Sequence, residues 1–323
     1  MPNVGTIPWR GPVTLVLAAC LCVVSCGPAA ESNASAPSDA DQPSPRIACL
    51  APAVTIMLRD VGALDHVVGR HAWDTVADPS IDVCGDQTGI DYESLLAVSP
   101  DVVITQWGDR ELPARLREIA DRRGWRLIDY RLLSLADVVD AANDVDQRFA
   151  PRDLGQSRDS GRPGRRLGDR LLDSITRPPG DLPDPGRILL LHAASPPAAL
   201  GPGSFHHELL ERMGLTPAIA DGSPYMRLDA EDVLELAPDA IVLIPNTSPE
   251  ESGDAGAITE LPDNGSWQEL DRELGALADL PIPAIERRRV AIVRHPHALI
   301  PSTSLAEVAQ ALAIAARSWS EGG

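Results

Sequence analysis

The 323-residue chain contains no lysine; all 28 of its basic side chains are arginine, set against 47 acidic ones. The exclusive use of arginine reflects genome composition and carries no chemistry of its own. The formal net charge of −19 disfavours nucleic acid as a main partner, because phosphate neutralisation needs clustered cations. Aromatic residues make up only 3%. There is no glycine-rich phosphate loop, no Gly-x-Ser-x-Gly elbow and no Cys-x-x-Cys pair, so the common signatures of nucleotide, serine-nucleophile and thiol-redox chemistry are missing. No apolar run is long enough to span a bilayer either; Val13 to Ser25 is a stretch of 13 residues.

That short run has a different use. With Arg10 ahead of it, it reads as the apolar region of an export signal over residues 1–26. Small residues precede cysteine twice, at Leu17-Ala18-Ala19-Cys20 and at Val23-Val24-Ser25-Cys26. Both resemble the site at which a lipoprotein cysteine is acylated. Cys26 uses the full apolar run and is followed by Gly27 and a polar tail, so it is the expected anchor. Residues 27–45 are rich in Ala, Ser, Pro and Asp and are expected to form a disordered tether.

The remainder is organised around a stretch that occurs twice. DYESLLAVSPDVVI begins at Asp91, and DAEDVLELAPDAIV begins 138 positions downstream at Asp229. Each copy places an Asp at a helix N-cap, a Glu (Glu93, Glu231) in the first turn, and a Pro-Asp that ends the helix. A buried parallel strand should follow, Val102 to Ile104 and Ala240 to Ile244. A repeat so widely spaced implies two α/β lobes of similar build, each with a short, mostly parallel sheet.

This ordered pattern, from about Arg46 to Ala315, resembles the substrate-binding proteins of ABC importers for vitamin B12, ferric siderophores and haem. The resemblance implies two Rossmann-like lobes, residues 46–134 and 179–323, joined by a helical connector over 135–178, with a ligand cleft between them. The Gly-, Pro- and Arg-rich stretch from Pro151 to Arg166 should interrupt that connector with a loop. The loop after the first strand keeps Pro52 and Thr55 of the family's Ser-Pro-x-x-Thr-Glu but has Ala51 and Ile56 in place of Ser and Glu. Tyr225 is in register with an aromatic that contacts ligand in relatives. The resemblance also implies that Glu93 and Glu231 occupy the positions that in relatives dock onto arginines of a permease dimer. Helix-dipole stabilisation is the plainer account of either glutamate.

Open α/β sheets bind ligands outside the carboxyl ends of their strands. That rule selects His71 and Trp73 after the second strand, Gln87 in the loop before the first repeat helix, and Trp107 after the first repeat strand. Trp73, Trp107 and Tyr225 are either ligand platforms or core residues; both readings stay open. His71, His206 and His295 are expected at the cleft rim, where they would also be the candidates for a metal site across the lobes. His295 and His297 flank Pro296 at chelating spacing, whereas adjacent His206 and His207 cannot both face one ligand on a helix. Cys49 and Cys84 are either a disulfide or two buried thiols.

Together these features point to an exported, lipid-anchored monomer that captures a corrinoid, a ferric siderophore or haem for an ABC permease dimer. No catalysis and no resident cofactor are implied. An enzyme of the related metal-chelatase or nitrogenase-like fold is opposed by the export signal. A cell-surface structural module would lack saturable small-molecule affinity.

Overall fold

Buried aliphatic triplets nucleate two separate sheets. In the computed structural model, which describes residues 44–151, 165–176, 182–246, 258–260 and 267–321, the first sheet is built on β1 (Ile47–Cys49), every residue of which is buried. β1 pairs in parallel with β2 (Val67–His71) on one side and with β5 (Val102–Thr105) on the other. β3 (Val83–Asp86) extends the sheet beyond β2, and β6 (Arg126–Asp129) extends it beyond β5, both in parallel. β4 (Gly89–Ile90) folds back antiparallel on β3. The stretch expected as a loop before the first repeat helix is therefore this edge hairpin. Its turn is held by Asp86, whose carboxylate accepts from the Thr88 and Gly89 amides.

The second sheet has β7 (Arg187–Ala194), β11 (Ala240–Leu243) and β13 (Val290–Arg294) in parallel at its centre. The two repeat strands thus lie in different sheets, as the repeat predicts. The margins of the second sheet are mixed. β8 (Pro197–Leu200) turns back antiparallel on β7, β10 (Tyr225–Arg227) pairs antiparallel with β8, and β12 (Ile258–Glu260) pairs antiparallel with β13. β9 (Thr216–Pro217) adds a short parallel pairing to β7.

Both repeat helices, α2 (Tyr92–Val98) and α7 (Ala230–Leu236), begin as expected. The Asp91 carboxylate accepts from the Glu93 and Ser94 amides, and Asp229 from those of Glu231 and Asp232. Both end on a left-handed residue, Ser99 at φ 43° and Ala237 at φ 40°. α2 and α3 (Ala114–Arg123) cover the outer face of the first sheet through Leu95, Val98 and Leu116. α7, α8 (Trp267–Leu274) and the short α9 (Pro283–Glu286) cover the outer face of the second through Val233, Leu270, Leu274 and Ala284.

The inner faces of the two sheets share one core. Alternate residues Ile47, Cys49, Val102 and Ile104 of the first sheet belong to the same cluster as Ile188, Leu190, Val242 and Val293 of the second. Between them lie α1 (Pro52–Asp60), α4 (Leu135–Phe149), α5 (Leu167–Thr176), α6 (Phe205–Arg212) and α10 (Leu305–Glu321). The two described helices of the connector, α4 and α5, pack against each other. Asn143 of α4 caps α5 by accepting from the Gly168 and Asp169 amides. Gly168 sits so close to α4 that an added Cβ would clash with the Val139 carbonyl oxygen, so glycine is required there.

Cys49 and Cys84 are free, buried thiols. Cys49 faces the shared core and Cys84 the opposite side of the same sheet, which keeps them from pairing. Burial pushes the Cys49 thiol up to about 12 and that of Cys84 up to about 11, so neither is a ready nucleophile. No described helix is long and apolar enough to cross a membrane. Cys20 and Cys26 lie outside the described residues.

Candidate functional site

Loops at the carboxyl ends of strands from both sheets meet. β2 leads into the turn that carries Trp73 and Thr75, and β13 leads into His295 and His297. Thr75 Oγ1 and His297 Nε2 are hydrogen-bonded at 3.0 Å, a direct bond between the lobes. A second bond joins Thr303, just ahead of α10, to Asp60 at the end of α1. The ends of β2 and β13 therefore stand together on one side of the molecule, where a doubly wound sheet places its ligand.

Two aromatic rings are left unpacked, one on this turn and one on β10, an edge strand of the second sheet. Trp73 is 61% exposed and Tyr225 60% exposed. Exposed rings of this size forgo substantial burial energy, which favours the platform reading over the core reading. Tyr225 lies on the β10 edge and meets His192 edge-on, with ring centroids 6.3 Å apart. His192 stands near the carboxyl end of β7 and is half-buried. It was legible as the first polar residue after the run Ile188-Leu189-Leu190-Leu191, yet it is not among the expected site residues.

The other expected residues divide. Pro52 opens α1 directly after β1 and is half-buried. His71 closes β2; its Nδ1 accepts from the Trp73 amide at 3.1 Å, and burial lowers its pKa. Gln87 is exposed at the tip of the β3–β4 hairpin, whose Asp86 lies beside His71. Trp107 is half-buried after β5, with its amide bonded to Asp129 and the Arg110 guanidinium 5.0 Å from its ring centre. Glu93 and Glu231 are both exposed in the first turns of α2 and α7.

His206 and His295 do not stand at a rim. His206 is 1% exposed, since α6 packs that face into the shared core. Its Nε2 is bonded to the Ala298 carbonyl at 2.8 Å, Nδ1 is buried with no partner among the described residues, and burial lowers its pKa to about 4. His295 is 6% exposed and engaged on both nitrogens. Nδ1 accepts from the His297 amide, which leaves the Nε2 hydrogen to donate to Glu307 at 2.5 Å. His295 and His297 are set edge to face, 5.4 Å between ring centres, and do not chelate. Among the described residues no three His, Cys, Asp or Glu side chains are grouped to hold a metal ion. A cavity of ≈ 460 Å³ between α4, α5 and α6, lined by Leu135, Val139, Leu172 and Glu208, shares none of the expected cleft residues.

No family model matches the sequence, and no curated protein is significantly similar to it. Solved structures are similar in fold. The periplasmic vitamin B12 binding protein BtuF of Vibrio cholerae is 17% identical, with a TM-score of 0.58 over 86% of this chain and 99% of that one. The periplasmic heme binding protein HutB of Vibrio cholerae is 17% identical, with a TM-score of 0.59 over 83% and 97%. A possible iron-binding periplasmic solute-binding protein from Staphylococcus epidermidis is 16% identical, with a TM-score of 0.57 over 84% and 97%. The chain has the two-lobed α/β fold shared by these periplasmic binding proteins, along almost their whole length.

Proposed function

We propose that this protein is an extracytoplasmic binding protein that captures a corrinoid or an iron chelate and hands it to an ABC importer permease. The observation that carries this reading is the display of Trp73, 61% exposed, on the turn that bonds the two lobes together, with Tyr225 60% exposed on the β10 edge. A broad, flat, partly apolar ligand gains most from such platforms. A corrinoid suits this best; a ferric siderophore is next, then haem. Pro52, His71, Gln87 and Trp107 complete the proposed lining, on the strand ends and hairpin next to Trp73. The fold neighbours described above are binding proteins, which accords with a role without catalysis.

Delivery requires a docking face. Glu93 and Glu231 are exposed at equivalent first-turn positions of the two repeats and make no recorded hydrogen bond or ion pair among the described residues, so both are available to permease arginines. Export and anchoring rest on the N-terminal signal and Cys26. Cys26→Ala should abolish labelling by a radioactive fatty acid, whereas Cys20→Ala should leave it intact. Labelling lost with Cys20→Ala alone would move the anchor.

Mass spectrometry of small molecules retained by the purified protein tests the central claim. Cyanocobalamin, ferric siderophores and hemin would then be titrated against tryptophan fluorescence. Saturable quenching by one of them is expected. No response to any would remove the binding-protein reading.

A further inference from the structure

The turn from Ala72 to Ala77 is stiffened from within. Trp73 donates its amide to His71 Nδ1, and Asp74 donates its own to the His71 carbonyl at 3.0 Å. The Asp74 carboxylate, 7% exposed, then accepts from the Val76 and Ala77 amides at 2.9 and 3.0 Å. These bonds set the shape of the turn but leave it attached only to its own lobe. Thr75 reaches outward instead, to His297. His297 is a fixed post. It is 8% exposed, its amide is tied to His295, and its carbonyl accepts from Ser304 Oγ at 3.0 Å.

We infer that His297 is a positioning residue for the ligand platform: through Thr75 it fastens the Trp73 turn of the first lobe to the second lobe. The presentation of Trp73 and the relative setting of the lobes are then coupled through one hydrogen bond. A ligand that presses on Trp73 acts on the lobe junction, and a permease that shifts the lobes acts on Trp73. The inference rests on the reading of Trp73 as a ligand platform. The separate tie between Asp60 and Thr303 joins the lobes without touching this turn, which provides an internal control.

Hydrogen exchange read by mass spectrometry on a peptide spanning the Trp73 turn tests this without any ligand. Thr75→Val keeps the shape of an exposed residue but removes its hydroxyl; His297→Phe removes the ring nitrogens. Each should speed exchange of the Asp74, Val76 and Ala77 amides about 10-fold, the scale of one lost hydrogen bond. Thr75→Ser should match wild type, and Thr303→Val should leave the turn unchanged. The double variant Thr75→Val/His297→Phe should be no faster than either single one, because both remove the same bond. Wild-type exchange in both Thr75→Val and His297→Phe would overturn the inference, as would equal acceleration by Thr75→Ser. In a parallel titration with cyanocobalamin, Thr75→Val should weaken binding several-fold. Failure of wild-type protein to bind cyanocobalamin, ferric siderophores or hemin would instead strike the proposed function, and the exchange result would still decide the coupling.

Discussion

Asp101 and Asp239 make the same bond in the two halves of the molecule. Each carboxylate accepts the backbone N–H of the arginine that opens the neighbouring central strand, Arg46 at 2.8 Å and Arg187 at 3.0 Å. Each arginine then reaches back to the end of the repeat helix. Arg46 Nη2 donates to the Val98 carbonyl at 2.7 Å, and Arg187 Nη2 to that of Ala237 at 2.9 Å. The repeated Pro-Asp is thus a device that clamps helix end to strand start, at the ends of the sheets opposite the candidate cleft.

Removing the clamp should cost stability and not affinity. Asp101→Ala and Asp239→Ala should each destabilise the protein by about 1–2 kcal/mol, the range for a charged hydrogen bond near solvent. The two losses should add, because the sites share no partner. Denaturant unfolding beside a ligand titration checks this, and a loss of affinity at unchanged stability would contradict it.

Acid should weaken the fold well before carboxylates protonate. Burial holds His206 neutral down to about 4, and burial above all holds His297 to about 4 as well. Arg59 opposes a proton on His297, while Glu307 and Asp74 favour it. Histidines of the unfolded chain titrate near 6.5, so between about pH 6.5 and 4 the unfolded state binds the extra protons. Stability should be full above that window and fall as pH drops through it. At its lower end Glu307 adds a loss of the same sign, its carboxyl being lowered first by the His295 hydrogen bond. His206→Leu should flatten the slope by roughly one proton. Unfolding free energies across this range supply the measurement, and an unchanged slope in the variant would refute the assignment.

Trp73→Ala and Tyr225→Ala should each reduce affinity about 10-fold or more while leaving the melting temperature near wild type. Burying an aromatic ring against a ligand contributes a few kcal/mol, whereas rings about 60% exposed in the free protein contribute little to the fold. A large fall in melting temperature for either variant would return that ring to the core.

Glu93→Arg combined with Glu231→Arg should leave ligand affinity unchanged and lower uptake. One exposed ion pair is worth about 0–1 kcal/mol, so the double reversal should act mainly on orientation and association rate. A transport assay beside a ligand titration separates the outcomes. Normal uptake would end the docking proposal, and lost ligand binding would place these glutamates at the cleft.

The parallel strands were legible because strands buried on both faces read as unbroken aliphatic runs, as in Val102-Val103-Ile104 and Ala240-Ile241-Val242. The marginal strands were not. β3 is Val-Cys-Gly-Asp, with glycine and aspartate in half its length, and β8 is Pro-Ala-Ala-Leu; both depend on a neighbour's edge more than on their own propensity. Carboxyl-end position selected Trp73 from the sequence and Tyr225 followed from family register, and both are exposed. The same rule could not tell that α6 would turn His206 inward, since that depends on packing against residues 92 positions away at Ala298. His297 was visible as a partner of His295, but its bond to Thr75 spans 222 positions and leaves no local mark.

The core shared between the two sheets has a thermodynamic consequence. Ile47 and Ile188 belong to one apolar cluster, so neither half can melt and leave the other's inner face covered. Urea should therefore unfold residues of both sheets in one transition with coincident midpoints, despite the two-lobed plan. By the same linkage, a molecule held at Trp73 alone would raise the protection of amides in β7 and β11, on the far side of that cluster.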